Sequence, residues 1–259
     1  MIYFNQLMDD MKEALTLSNR NKGLFLPALI ANLIMVILGF IMIFIFIFLV
    51  VGTIMSISAT QANWSYLISI GIITMLLIIL FSLVFMALDL GINSIVIGTV
   101  NGEKPSAAIF FKGIRTFFLK VLSTNIGLFF LYTIGFILLL IPYILYLLTV
   151  GILTGGYGVL FLSCLFQAFL GSWILLLMEN GDNKIGGFSS IGINLKFGKR
   201  YFWLMILVFF IQLQLTAYLP SLFGLLGATL ATLFISYVVT TIFKIVVLLT
   251  YRRYKATLE

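Results

Sequence analysis

Asn101-Gly-Glu-Lys-Pro-Ser-Ala-Ala-Ile-Phe-Phe-Lys-Gly-Ile-Arg-Thr-Phe-Phe-Leu-Lys120 is the longest charged stretch between two long apolar ones. Asn101-Gly102 is turn chemistry, and Pro105 suits the first turn of a helix, where a missing N–H costs nothing. Ala107, Phe110, Phe111, Ile114, Phe117, Phe118 and Val121 then form one stripe, with Lys112 and Arg115 off it. The stretch reads as a turn, a short amphipathic helix along the inner leaflet, and the entry to a membrane span. Related arrangements lie at the N-terminus and after Glu179.

Composition fixes the class. The chain of 259 residues is 63% hydrophobic and 9% charged, whereas soluble domains carry about 25% charged residues. Its apolar runs exceed the ~18 residues that mark a membrane-spanning helix. The expected fold is an all-α integral membrane domain over 1–259: six transmembrane helices with short cytoplasmic amphipathic helices. The net charge of +7 sits beside apolar spans, which points to orientation and anionic lipid headgroups, not nucleic acid. One cysteine, Cys164, excludes an intrachain disulfide, and the absence of histidine removes the commonest general base and metal ligand. No catalytic residue, cofactor or metal is expected.

Residues 2–17 read as an amphipathic helix with Tyr3, Phe4, Leu7, Met8, Met11 and Leu15 on one side and Asp9, Asp10, Lys12 and Glu13 on the other. It lies in the headgroup plane, packs on the protein's own cytoplasmic face, or does both. Spans are expected at about 24–51, 66–88, 121–147, 159–178, 201–219 and 222–249. The second apolar run continues to Val100, about 50 Å as one helix. It therefore projects into the cytoplasm or bends near Asp89–Gly91. Pro142 kinks or ends the third span. Gly151 to Gly158 lacks the lysine and context of a phosphate loop. Charged residues fall at the termini, in the second and fourth connections, or near the inner ends of even-numbered spans. The positive-inside bias then puts both termini in the cytoplasm of a multi-pass cell-membrane protein.

Three parallel two-span units are one reading of this order: Met1–Val100, Asn101–Glu179 and Asn180–Glu259. Asn101-Gly102-Glu103 echoes Asn180-Gly181-Asp182. Arg20 and Lys22 echo Arg115 and Lys120, then Lys199 and Arg200. Charge at every second loop of any six-span protein is the other reading. Gly102-Glu103-Lys104-Pro105-Ser106, followed by Phe110, Phe111 and a basic residue, resembles the YciC-like group of bacterial six-span membrane proteins. That group is similar to the membrane domain fused to some glycerophosphodiester phosphodiesterases. The resemblance implies the six-span fold but not the phosphodiesterase activity, whose domain is missing from this chain. A weaker similarity links the chain to ABC-2 type permeases, which implies a separate cytoplasmic ATPase as partner.

Asp89, in Phe85-Met-Ala-Leu-Asp-Leu-Gly-Ile, and Lys244 lie at comparable depth and are the candidate intramembrane polar pair. An ionisable group inside a span is costly and often functional. The other readings are interfacial: Lys244 snorkels and Asp89 lies beyond the membrane. Asn32, Asn125, Gln167, Gln212 and Gln214 read as interhelical hydrogen-bonders, and Gly224, Gly227, Ala228 and Ala231 as a close-packing surface. Phe110, Phe111, Lys112, Arg115, Lys120, Lys199 and Arg200 are the candidate lipid or partner contacts. The leading functional reading is a non-enzymatic membrane component or scaffold, in export or self-protection, with lipid or protein partners. The alternative is a permease subunit coupled to a separate ATPase or other membrane subunit. A lipid-acting intramembrane enzyme using Asp89, Glu103, Glu179 or Asp182 is the third.

Overall fold

The structure is a computed structural model that describes residues 2–59, 64–146, 164, 167–181, 186–219 and 224–257. The chain is all-helical. In order come α1 (Ile2–Arg20), α2 (Phe25–Ala59), α3 (Trp64–Val100), α4 (Ala107–Tyr146), α5 (Trp173–Glu179), α6 (Gly187–Arg200), α7 (Phe202–Tyr218) and α8 (Gly224–Ala256). A 3-10 turn at Lys22–Leu24 separates α1 from α2, and a π-helical turn, Gln167–Gly171, precedes α5.

Among the described residues two helical stretches have the length and composition to cross a bilayer, Lys22–Phe48 and Ile68–Val100. Both expose apolar side chains over most of their length, including Phe40, Phe44 and Phe48 on α2 and Ile72, Met75 and Leu76 on α3. An exposed apolar belt of this extent marks a membrane or protein contact surface. Within the expected spans at 121–147 and 222–249, residues 121–146 and 224–249 are helical in backbone, but many of their side chains lie outside the described residues. So do most of 159–166, the glycine-rich run at 151–158, and the side chains of Asn32 and the small-residue surface on α8. The apolar segments Gln167–Glu179 and Phe202–Thr216 are shorter helices.

Helix α3 runs unbroken through Asp89–Gly91 for 37 residues, so the chain does not break there. Gly91 is a packing residue: a Cβ there would overlap the Phe110 ring of α4. After Val100 the chain reverses through Gly102, whose φ of 83° only glycine adopts freely. Glu103 N–H donates to Gly98 O at 2.8 Å and Gly102 N–H to Thr99 O at 3.0 Å, a Schellman closure of the helix. Gly181, with φ 84°, performs the same reversal after α5.

The opening stretch departs from expectation. Residues 107–120 are not a separate helix; they are about the first third of α4, a 40-residue helix that runs past Pro142 to Tyr146. The reason is packing against α3. Ser94 Oγ donates to Ile109 O at 2.9 Å, Gly113 abuts Ser94, and Phe117 and Val121 are buried. That contact holds the segment along the α3 axis.

Helix α1 differs too. Its packed face is Leu7, Asp10, Ala14 and Ser18, so Asp10 belongs to the buried side and not the polar one. Phe4, Met8 and Leu15 form a second, exposed apolar stripe. In α6 the buried face is Ser190, Ile191, Asn194 and Phe197, while Phe188 and Leu195 are exposed. The pattern of docking is regular: α1 packs on α8, the start of α4 on α3, and α6 on α5 and its preceding π turn.

Candidate functional site

The charged ends of α3, α5 and α8 converge on Arg252. Its guanidinium donates from Nε to Glu179 Oε1 at 2.6 Å, from Nη2 to Glu179 Oε2 at 3.0 Å, and from Nη2 to Asn101 Oδ1 at 2.6 Å. This planar fork joins the residue after α3 to the end of α5. Asn180 Nδ2 donates to Tyr251 Oη at 2.8 Å. Burial raises the Tyr251 hydroxyl above its usual value, opposed by that hydrogen bond. Glu179 is thus a clamped residue. Beside it, Phe197, Tyr201, Tyr251 and Tyr254 stack into an aromatic cluster, with Arg200 over the Tyr254 ring at 5.6 Å.

About two turns farther along α8, roughly 12 Å from Arg252 at 1.5 Å per residue, lies Lys244. Its Nζ sits 2.5 Å from Asp89 Oδ1, so the structure brings together the two residues singled out as an intramembrane pair. Asn93, one turn along α3, donates from Nδ2 to Asp89 Oδ2 at 3.1 Å. A carboxylate only accepts, which fixes the amide orientation. Asn93 Oδ1 is then left buried, with no hydrogen-bond partner among the described residues.

Asp89 borders three cavities. One, of about 390 Å³, lies between α3, α5, α7 and α8 and is lined by Asn93, Gln167, Ser172, Gln212, Thr240 and Lys244 among others. A second, of about 220 Å³, includes Tyr237, Thr240, Thr241 and Lys244, and a third, of about 470 Å³, includes Ser82 and Asn125. The largest polar set faces the first. Gln167 reaches it from the π-helical turn, a distortion frequent at functional sites. Gln212 Nε2 donates only a long 3.4 Å bond to Thr240 Oγ1. Sequence reading took Gln167 and Gln212 as interhelical glue; their shared cavity was not visible without the fold.

The remaining candidates separate from this site. Phe110 packs over Gly91 and stacks edge-on with Phe111 at 5.5 Å. Phe111, Lys112, Arg115, Lys199 and Arg200 are exposed, and Lys120 is half-buried. The apposition that sequence missed is Asp10. It is 1% exposed, accepts from Thr250 Oγ1 at 2.9 Å, and pairs with Arg253 Nη2 at 2.8 Å. Burial raises its pKa, opposed by the Thr250 hydrogen bond and the Arg253 charge. Among the described residues no group of three or more His, Cys, Asp or Glu is placed to hold a metal. Comparison with family models, with curated proteins and with solved structures finds no match.

Proposed function

We propose that the chain is a six-span integral membrane protein, built of three parallel two-helix units with both termini cytoplasmic, and that it is a permease for a small polar solute. The observation that carries the reading is the Asp89–Lys244 pair in a polar cavity where α3, α5 and α8 meet. Ionisable groups at membrane depth are expensive and are kept where a pathway needs them. The docking order supports the units: each entry helix lies on the last helix of the preceding unit, and α1 on α8 closes the circle. The three second helices then surround an axis, with the solute cavity at mid-depth and the Arg252 clamp as its cytoplasmic gate. The similarity to the YciC-like group fits the six-span order.

Uptake into proteoliposomes tests this, using labelled amino acids, polyamines and sugar phosphates with and without a proton gradient. At least one solute accumulates with the unaltered chain and not with Asp89→Asn; uniform absence of flux refutes the permease. Reporter fusions at Ala62, Gly155 and the C-terminus test the threading, and a cytoplasmic signal at Ala62 refutes it. A second reading, a non-enzymatic scaffold on the membrane, is favoured by the exposed stripe Phe4, Met8 and Leu15 on α1. A mild-detergent pull-down separates the two: an ATPase partner supports the permease, and a stable assembly without flux supports the scaffold.

A further inference from the structure

The cavity at Asp89 has a charge pattern that selects its occupant. The carboxylate and ammonium sum to zero, and both are only partly committed. Lys244 offers three N–H donors, of which one faces Asp89 Oδ1. Asp89 accepts from Lys244 and from Asn93 Nδ2, which leaves lone pairs free on each oxygen. Asn93, which lines the cavity, holds Asp89 in place through Nδ2. Around them stand Gln167, Gln212 and Thr240, each able to donate and accept.

A cation in this space would satisfy Asp89 but leave a net positive charge beside Lys244. An anion would do the reverse beside Asp89. In a low-dielectric interior neither excess charge is tolerated. A molecule carrying both charges meets the pair with its own signs reversed and adds no net charge. We infer that the cavity bounded by Asp89, Asn93 and Lys244 is a binding site for a small zwitterion. Its ammonium sits on Asp89 Oδ, and its carboxylate or phosphodiester on Lys244 and a glutamine amide. The 390 Å³ volume is in the range of small-ligand sites. This deepens the permease reading and rests on it for the direction of movement, but not for binding. A free amino acid and the headgroup of an ethanolamine phospholipid share this chemistry.

The experiment follows thermal unfolding of the full chain in mild detergent. Probes are glycine, L-alanine, β-alanine and glycerophosphoethanolamine, then short-chain phosphatidylethanolamine against its choline analogue, which has no N–H donor. Ethylamine and propionate, the separated halves of alanine, are the controls. At least one zwitterion raises the midpoint by about 5 °C at a hundredfold excess over its Kd, and neither half does. The shift is absent from the Asp89→Leu/Lys244→Met double variant, and Asn93→Ala, which keeps the ion pair, weakens the same zwitterion about tenfold. A shift with the free compounds assigns a solute; a shift with the ethanolamine lipid alone assigns a headgroup; both uphold the site. Halves as effective as the whole, a shift kept by both variants, or no shift with any member overturns it. Binding without flux refutes only the permease, and flux of another solute class without zwitterion binding refutes only this site.

Discussion

Replacing Asp10 by alanine tests whether α1 is held by chemistry or merely by adjacency. The carboxylate is the only acid on the packed face of α1, and it meets α8 through Thr250 and Arg253. A hydrogen bond to a charged group contributes about 1.5–3 kcal/mol. The ion-pair part is discounted to below about 1 kcal/mol because the Arg253 side chain is 40% exposed. Thr250 keeps its second acceptor, Val246 O at 2.9 Å, so its hydroxyl is not orphaned. Relief of the burial cost that raises the Asp10 pKa offsets part of the loss. The net is about 1–2 kcal/mol, or roughly a tenfold increase in the undocked population of α1. Hydrogen exchange at Leu7–Ser18, corrected for intrinsic rate, reads this directly, with cleavage by trypsin after Arg20 and Lys22 as a second measure. The pH dependence has a definite sign. A carboxyl whose folded pKa is raised binds more protons folded than unfolded, between the ordinary carboxylate value and the raised one. Docking is therefore tighter at the acid side of that window and weakens as pH rises through it. Asp10→Asn removes the slope. Unchanged α1 exchange in Asp10→Ala, or an equal change in α6, refutes the docking argument.

Glycines at close approaches are expected to resist enlargement: a Cβ on Gly113 would lie 2.7 Å from Ser94 Oγ and 3.2 Å from Leu90 O, and one on Gly198 would lie 2.6 Å from Ala168 O. Gly113→Ala and Gly198→Ala each cost about 1–3 kcal/mol in thermal unfolding, whereas Gly192→Ala, with nothing within 4 Å, stabilises by about 0.4–1 kcal/mol. Arg252→Gln frees the ends of α3 and α5 and admits a water-soluble thiol reagent past the clamp to an Asn93→Cys probe, in a Cys164→Ala background, faster than in the unaltered clamp. Asp89→Leu alone destabilises by about 3–5 kcal/mol, and adding Lys244→Met restores most of it; a double variant no more stable than the single refutes the pair.

What was legible in the sequence was local. Apolar runs of span length fix α2 and α3 whatever they pack against, and Asn-Gly at 101 and 180 fixes two reversals because left-handed backbone needs glycine. Asp89 and Lys244 were legible as charges out of place, and counting back along two helices put them at one depth. The side on which Asp10 is buried was not legible. A helical projection sorts by hydrophobicity, and the partners that offset this charge lie at positions 250 and 253. The fusion of 107–120 with the third span escaped for a related reason. Basic residues mark a membrane border equally well on a separate helix or on the open face of a continuous one. Only the contact of Gly113 with Ser94 decides between them. The Glu179–Arg252–Asn101 clamp joins three distant segments by hydrogen bonds that no spacing encodes.

Stability gives little reason for the Asp89–Lys244 pair to exist. The helices it joins are held at their charged ends by the Arg252 clamp and on their flanks by separate contacts. Ser94 bonds Ile109 O, Ser190 Oγ donates to Trp173 O at 2.8 Å, and Asp10 meets Thr250. Two apolar side chains of similar volume would fill the same space without the cost of desolvating two charges. The pair is therefore better explained by what it can hold than by what it holds together. A chain in which Asp89→Leu/Lys244→Met folds normally and loses only solute binding and flux locates function on the axis. A chain in which the same variant keeps both moves function to the exposed apolar surface of α1.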